Sequence, residues 1–335
     1  MKTIYLYPKN LNALNSYIKN LEVALSQHYE IINKNYLKSG LIDLFRYLFR
    51  TKAYYLNWIE ELSLRKYGKI QVIAFMVLLI CLKFLRIKII WTLHNKYSHS
   101  KNKSIWIDFM YKIMLKYSDF ILTHSQDGVE YVKEQNPIYE KKVKYLIHPV
   151  THNFTLTSND KYLWDFLIWG MIESYKGIIE FLKFLKEKED IISFRVLIIG
   201  QCMDYHYKDE LKKYISNHIN YYDEFYGLEE IANLARQAKF ILFTYKSESL
   251  LSSGSLMDSI GMKSVIIGPN VGAFKDLSSY KFIKTYNTFD DIIEINNNYK
   301  PRKESDLISQ EKFCSENNWN VFGEKIHKEL SEYLL

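Results

Sequence analysis

Short apolar runs alternate with longer stretches of helical spacing along the whole chain. Apolar residues recur at helical spacing between the runs, as Ile178, Leu182 and Leu185 do. Strands that alternate with helices in this way form parallel sheets with right-handed crossovers. The pattern predicts two doubly wound α/β domains, with strands at Ile4–Tyr7, Glu30–Ile32, Ala53–Leu56, Ile89–Thr92, Phe120–Thr123, Val143–Leu146, Phe166–Trp169, Arg195–Ile199, Phe240–Phe243 and Ser264–Ile267.

A polar stretch, Thr151–Lys161, separates the two series of strands. It predicts a first domain over residues 1–155 and a second over 156–310, and 335 residues are enough for two cores. Residues 311–335 carry apolar positions at four-residue spacing and are predicted to form a helix that returns to the first domain. The longest apolar run, Ile70 to Leu82, is predicted to be a buried helix, because it is too short to span a hydrocarbon core of about 30 Å.

The charge is divided unevenly between the two halves. Residues 1–150 have 23 Lys and Arg against 11 Asp and Glu, a net +12, whereas residues 151–335 have 22 against 27, a net −5. A basic half can meet anionic lipid, nucleic acid or a phosphorylated substrate. Nucleic acid is not expected, because no recognised binding module is present. Residues 41–50 form a basic amphipathic segment, which is either a contact for the anionic inner membrane or a core helix with solvated arginines.

The cysteines and the N-terminus indicate the compartment. Cys81, Cys202 and Cys314 are odd in number and widely spaced, which fits a reducing cytosol. The N-terminal residues lack the pattern of a signal peptide. The sequence therefore predicts a cytoplasmic protein, with peripheral contact at the inner face of the plasma membrane if the basic segment binds lipid.

The loop that follows the predicted strand Phe240–Phe243 contains candidate anion-binding groups. Tyr245 and Lys246 come directly after the strand, and Ser252, Ser253, Gly254 and Ser255 open a helix. Small residues at a helix start leave backbone N–H groups free to converge on a diphosphate. The alternative is simple capping of the helix by serine side chains.

Two further loops hold candidate chemistry. Lys176 stands at a helix start, where the dipole disfavours a cation, so it indicates either a bound phosphate or a solvated surface lysine. His94 ends another strand, with Asn95 and His99 after it, and can take a proton from an acceptor hydroxyl or bond to the backbone. His148 ends the last strand of the first series, in a hinge or a catalytic role.

Together these loops resemble the GT-B glycosyltransferases, especially the large family that acts in bacterial polysaccharide assembly. Thr92–Asn95 is similar to the T-x-H-N segment of that family, and Ile147–Val150 to its HPV segment. Gly170–Gly177 is similar to G-R-I-x-x-Y-K-G. The serine-rich helix start and the run Val265–Phe274 resemble its donor loop and the segment that follows it. The segments occur in the family's order, each at a predicted strand end.

The resemblance implies a GT-B fold, with two Rossmann-like domains facing each other across a cleft. It implies that the second domain binds a nucleotide sugar and that the first binds a saccharide acceptor, which is expected to be lipid-linked. The residues that it assigns to the donor are Lys176 with the amides at Ser253 and Gly254 for the diphosphate, Glu248 for the sugar, Asp258 for the ribose, and Gly170 and Gly200 for close approach of the ligand.

The chain also departs from the family pattern. Met171 replaces an expected arginine, for which Lys246 is a candidate substitute. Nine residues lie between Glu248 and Asp258, so the stereochemical outcome stays open: His94 is the base of an inverting enzyme or a donor contact in a retaining one. No Asp-x-Asp motif occurs, so neither a metal nor another cofactor is expected.

Three other functions remain to be weighed against a transferase. A sugar-nucleotide epimerase would use the same donor domain, and an inactive scaffold subunit would bind no nucleotide. A nicotinamide-dependent enzyme is disfavoured, because Pro8-Lys9-Asn10 follows the first strand in place of G-x-G-x-x-G.

Overall fold

The structure, a computed structural model, describes residues 2–9, 16–34, 41–97, 104–155, 162–190, 192–246 and 250–334. The chain forms two compact units. The first unit comprises Met1–Pro149 and Asn317–Leu335, and the second comprises Val150–Glu316. Within the described residues each unit contains a six-stranded sheet in which every pairing is parallel. The predicted α/β class is confirmed.

The strands are β1 Thr3–Tyr7, β2 Glu30–Ile31, β3 Ala53–Asn57, β4 Lys88–Leu93, β5 Phe120–Thr123, β6 Val143–Tyr145, β7 Trp164–Trp169, β8 Val196–Ile199, β9 Ile219–Tyr222, β10 Ala238–Leu242, β11 Ile266–Pro269 and β12 Ile283–Tyr286. The helices are α1 Tyr17–Ser26, α2 Leu41–Arg46, α3 Gly68–Phe84, α4 Ile105–Tyr117, α5 Gln126–Gln135, α6 Ile178–Glu187, α7 Tyr205–Lys212, α8 Leu228–Ala235, α9 Gly254–Gly261, α10 Gly272–Asp276, α11 Phe289–Asn297, α12 Glu304–Glu316 and α13 Trp319–Leu334. Short 3₁₀ helices cover Ile59–Leu64, Pro137–Lys142 and Ser174–Lys176.

In the first unit the sheet order is β2-β1-β3-β4-β5-β6. Its core contains apolar strand residues together with α1 and α13, and Phe322, Ile326 and Leu330 of α13 are all buried in it. The C-terminal helix thus packs on the first unit, as predicted. The tail is nevertheless two helices rather than one, because the Asn318 side chain accepts from the amides of Asn320 and Val321 and starts a new helix there.

In the second unit the sheet order is β12-β11-β10-β7-β8-β9. The direction of strand addition therefore reverses between β7 and β10, as in a Rossmann fold. The edge strands β9 and β12 were not predicted from the sequence pattern. No residue of β9 is buried, and Lys284 in β12 is exposed, so neither edge gives the continuous apolar run of a central strand.

The apolar run from Ile70 to Leu82 forms a helix, but the prediction that this helix is buried was wrong for one of its faces. Val72, Phe75 and Leu78 lie in the interior, whereas Ile73 and Ile80 are exposed. A helix that is apolar all round gives no periodic signal of which face is covered. No helix among the described residues is both long and apolar enough to cross a membrane.

Candidate functional site

The second unit brings two of the predicted loops together where its strand order reverses. Strands β7 and β10 are paired neighbours, and the loops 170–177 and 243–246 follow them directly. In doubly wound sheets, ligands bind beyond the carboxyl ends of the strands at such a reversal. The topology therefore selects this edge of the second unit as a candidate binding site.

The loop 170–177 is held to the end of β10 by main-chain geometry. The amide of Lys246 donates to the Tyr175 carbonyl at 3.0 Å, and the Thr244 hydroxyl donates to the Lys176 carbonyl at 2.6 Å. Gly177 has φ +67°, and a Cβ there would stand 2.3 Å from the Thr244 carbonyl oxygen. Only glycine fits this contact without strain, and the result is a fixed backbone under the Lys176 side chain.

Lys176 is 5% exposed, which excludes the solvated surface lysine considered above. Its Nζ donates to the Trp169 carbonyl at 3.3 Å and lies 5.9 Å from the Tyr245 ring centroid. Among the described residues no carboxylate forms an ion pair with it. Burial lowers the pKa of Lys176 to about 8, with a nearby Glu173 acting in the opposite direction. A buried ammonium with one carbonyl acceptor has further N–H groups to offer to an anion.

The start of α9 lies close to the ammonium group of Lys176. A Cβ built on Gly170, which has φ +93°, would lie 3.1 Å from Lys176 Nζ and 3.7 Å from Ser255 Oγ. Ser253 precedes the helix, but its side chain makes no capping hydrogen bond. The amides of Gly254 and Ser255 have no acceptor in the described part of the chain, and a Cβ on Gly254 would meet nothing within 4 Å. The arrangement favours open amides over serine capping.

Two side-chain contacts fix α9 in place. Trp169 Nε1 donates to Ser259 Oγ at 3.0 Å, and Ser259 Oγ donates to the Ser255 carbonyl at 2.7 Å. Tyr245 Oη and Ser253 Oγ are 3.3 Å apart, which joins the end of β10 to the helix start. The Ser252 hydroxyl is buried and has no hydrogen-bond partner in the described structure. We call Lys176, Gly170, Ser253, Gly254 and Ser255 the Lys176 site.

The other predicted donor residues lie in different environments. Asp258 is half-buried one helical turn after Ser255, and burial raises the pKa of its carboxyl to about 7. Gly200 has φ +148°, and a Cβ there would lie 2.0 Å from the Gly170 carbonyl oxygen, so the glycine permits close approach of two loops. Lys246 Nζ is 2.6 Å from Glu180 Oε1 in a half-exposed ion pair. Glu248 lies outside the described residues.

In the first unit, histidines follow three neighbouring strands. His94 follows β4, His124 follows β5, and His148 lies a few residues beyond β6. All three rings lie around Tyr17 of α1, at centroid distances of 4.9, 5.7 and 5.4 Å respectively. His124 was not among the predicted site residues, although it directly follows a predicted strand end. We call His94, His124, His148 and Tyr17 the histidine cluster.

Hydrogen bonds fix the tautomer of His94. Asn57 Nδ2 donates to the Tyr7 carbonyl at 3.2 Å, which leaves Asn57 Oδ1 as an acceptor. His94 Nε2 lies 3.1 Å from this oxygen and so carries the proton. Trp58 stacks on the same imidazole at 4.1 Å. The Nδ1 atom of His94 therefore carries the lone pair, and it has no acceptor or donor partner in the described structure.

The imidazoles of all three histidines in the cluster are neutral. His124 lies 2.8 Å from both the Tyr17 hydroxyl and the Leu146 carbonyl, and His148 Nδ1 lies 3.0 Å from the Pro149 carbonyl. Burial lowers the pKa of His124 to about 3 and that of His148 to about 4. Burial and the two neighbouring histidines hold the pKa of His94 well below its usual range. Neutral imidazoles can accept a proton or a hydrogen bond from a hydroxyl.

The two other acceptor-side predictions have different outcomes. Asn95 is half-buried, and its carbonyl accepts from the Tyr111 hydroxyl at 3.2 Å. His99 lies outside the described residues. No group of three or more His, Cys, Asp or Glu in the described part of the chain is arranged to hold a metal ion.

Comparisons with known proteins identify the fold. No family model and no curated protein matches the sequence. HepE of Anabaena, solved with UDP and glucose, is 9% identical with a TM-score of 0.70, over 99% of this chain and 100% of that chain. The lipopolysaccharide outer core galactosyltransferase WaaB, in its apo form, is 12% identical with a TM-score of 0.67, over 99% and 100%. A glycosyltransferase of Rickettsia africae is 14% identical with a TM-score of 0.64, over 99% of this chain and 98% of that chain.

At these identities the likeness defines the fold alone. This chain has the fold of the GT-B glycosyltransferases, as its resemblance to them predicted.

Proposed function

We propose that the chain is a glycosyltransferase that moves a sugar from a nucleotide diphosphate donor to a saccharide acceptor. The observation that carries the proposal is the Lys176 site. It places a buried ammonium, without a carboxylate partner in the described residues, beside the open amides of Gly254 and Ser255. Such a site can bind a diphosphate, and it stabilises the charge that grows on this leaving group as the bond to the sugar breaks.

The donor nucleotide proposed for the first experiments is UDP, because HepE was solved with UDP, with UDP-glucose, and with UDP and glucose. Asp258 is assigned to the ribose, since a carboxyl with a pKa near 7 can accept or donate a hydrogen bond to a hydroxyl. Glu248 keeps its assignment to the donor sugar. Lys246 is not needed as a second phosphate cation, because its ammonium is paired with Glu180.

The histidine cluster is assigned to the acceptor. In an inverting transfer the acceptor oxygen bonds to the anomeric carbon, and the bond from that carbon to the phosphate oxygen breaks. The proton of the acceptor hydroxyl then passes to His94 Nδ1, the nitrogen that carries the lone pair. The acceptor that we propose is a lipid-linked saccharide in surface polysaccharide assembly, on the cytoplasmic side of the membrane.

The transfer is proposed to need no metal ion, because the cation and amides of the Lys176 site compensate the diphosphate charge. Turnover of UDP-sugar should therefore be unchanged by EDTA. A loss of turnover that Mg²⁺ or Mn²⁺ restores would contradict this part of the proposal.

Calorimetric titration with UDP tests the donor site. Lys176→Met keeps the length and the apolar contacts of the buried side chain but removes its charge. We expect UDP to bind about 10–100-fold more weakly to this variant, since a hydrogen bond to a charged group contributes about 1.5–3 kcal/mol. Turnover of UDP-sugar should fall about 10²–10³-fold.

Lys213→Ala is the matched control, because Lys213 is an exposed lysine of the same unit that pairs with Glu210. It should leave UDP affinity unchanged. Equal affinities of wild type and Lys176→Met would remove Lys176 from the donor site. Product analysis with donor alone separates a transferase, which gives slow hydrolysis, from an epimerase, which gives an isomerised nucleotide sugar.

A further inference from the structure

The outer face of α3 is unusual for a helix that faces solvent. Its exposed apolar residues are separated by three, four, three and four positions. They are Ile70 (67% exposed), Ile73 (58%), Val77 (51%), Ile80 (68%) and Phe84 (86%). Residues at this spacing lie along one side of a helix. The same helix buries its opposite side through Val72, Phe75 and Leu79. The face of α3 that ordinarily carries polar side chains therefore carries large apolar ones.

The apolar surface continues beside the helix. Helix α2 packs against α3, and Ile42 within it and Phe49 just after it are 81% and 86% exposed. Tyr67, immediately before α3, is 69% exposed. We call the exposed apolar residues of α3 together with these three the α3 face. Single exposed apolar residues are ordinary, but a contiguous patch of this kind marks a contact surface.

The side chains around the α3 face are basic. Residues 41–86 contain eight Lys and Arg against three Asp and Glu. Seven of these cations are exposed, namely Arg46, Arg50, Lys52, Arg65, Lys66, Lys69 and Arg86. The acidic residues of the segment are not: Glu60 is buried, while Asp43 and Glu61 are half-buried. Arg46 pairs with Asp43 at 3.5 Å, and the segment still has an excess of five cations. Apolar side chains bordered by such an excess of exposed cations are complementary to the interface of an anionic bilayer.

We propose that the α3 face docks the chain on an anionic lipid surface, with α3 lying in the plane of the interface. Its apolar side chains enter the headgroup region, and the cations that border it contact lipid phosphates. This docking rests on the proposed function, because a lipid-linked acceptor is found at a membrane. It extends that proposal by assigning membrane contact to α3 rather than to residues 41–50 alone. Helix α2 and the residues after it contribute Arg46, Arg50 and two of the apolar residues to the same surface.

A second copy of the chain is a poorer occupant of this face. A symmetric dimer places the same patch of each copy against the other, so the exposed cations around both α3 faces would approach one another. Like charges brought together in this way oppose association, whereas an anionic bilayer neutralises them.

Vesicle flotation of the full chain tests the proposal at physiological ionic strength. The vesicles contain phosphatidylcholine alone, or phosphatidylcholine with about 30% phosphatidylglycerol. We expect wild type to bind the anionic vesicles, and Ile73→Gln/Ile80→Gln to bind them about 30-fold more weakly, because two apolar side chains no longer enter the interface. Lys66→Gln/Lys69→Gln should bind about 25-fold more weakly, at about fivefold for each cation.

Ile308→Gln is the matched control, because Ile308 lies on a helix of the second unit and is 62% exposed. It should bind vesicles as wild type does. Unchanged binding by the Ile73/Ile80 variant, or wild-type binding that does not distinguish anionic from neutral vesicles, would overturn the proposal. So would a lipid-free dimer, seen by analytical ultracentrifugation, that this variant makes monomeric.

UDP titration separates this proposal from the proposed function. The Ile73/Ile80 variant should bind UDP with wild-type affinity while it loses vesicle binding. A wild-type chain that binds vesicles but no nucleotide would contradict the transferase assignment and leave the α3 face as the lipid contact. Urea unfolding of each variant verifies the fold, since exposed substitutions typically change stability by less than about 0.5 kcal/mol.

Discussion

Each unit contains a buried lysine shortly after the first strand of its series, and the two differ in what surrounds the charge. Lys9 follows β1 and is 2% exposed; its ammonium donates to the Glu22 carboxylate and to the Lys34 carbonyl. Lys176 follows β7 and is 5% exposed, but its only acceptor among the described residues is the Trp169 carbonyl. A buried charge is costly unless it is paired. The fold itself supplies the partner of Lys9, whereas we propose that a ligand supplies that of Lys176.

The largest effect expected from this comparison is on Lys9. Lys9→Met leaves Glu22 buried without its cation and should destabilise the chain by about 3–5 kcal/mol, measured by urea unfolding. The double variant Lys9→Met/Glu22→Gln removes both charges and should recover much of this loss. If Lys9→Met alone unfolds like wild type, the ion pair is not what stabilises the end of β1.

Replacement of Lys176 should stabilise the folded chain, whereas replacement of Lys9 should destabilise it. Its folded pKa of about 8 lies below the value of 10.5 in the unfolded chain, so the full cost of burying the charge is present below pH 8 and fades as the pH rises towards 10.5. Lys176→Met should therefore be about 1–3 kcal/mol more stable than wild type at pH 7 without ligand. A variant less stable than wild type would show that the ammonium has a structural partner. Lys213→Ala, an exposed substitution, should leave stability nearly unchanged.

The pH dependence of UDP binding should identify the same group. Above a pKa of about 8 the free chain loses the proton on Lys176, so wild-type affinity should fall towards tenfold per pH unit. Between pH 7 and 9 the Lys176→Met variant should lack this additional decrease. Parallel profiles for the two proteins would assign the titration to the nucleotide or to another residue.

The smallest effect is expected for Asn57, to which we assign the positioning of the His94 ring. Asn57→Leu removes the acceptor for His94 Nε2–H, so the ring is free to adopt the other tautomer. Turnover should fall by up to about tenfold, in keeping with the loss of one hydrogen bond, while UDP affinity stays unchanged. A change in UDP affinity would argue that the substitution acts outside the histidine cluster.

Central features of both units could be predicted from sequence, because their signals are local. The strand of Phe120–Thr123 agrees in both bounds, since a short β-branched and aromatic run is typical of a buried parallel strand. The edge strand Ile219–Tyr222 could not be predicted, since it is only partly buried. A helix was predicted over Ile70–Leu82 and the structure has one at Gly68–Phe84. Its exposed face was not predicted, because exposure depends on which neighbours pack against it.

The sequence by itself determined the alternation of strands and helices, the loops at strand ends, and the presence in such loops of Lys176 and of a serine-glycine helix start. These features depend on residue type and spacing over a few turns of chain. Only the tertiary structure decided that Lys176 is buried without a carboxylate in the described residues, that Lys246 pairs with Glu180, and that His124 joins His94 and His148. Such partners lie on separate strands, loops and helices, and only the folded arrangement of these elements brings them within hydrogen-bonding or packing distance.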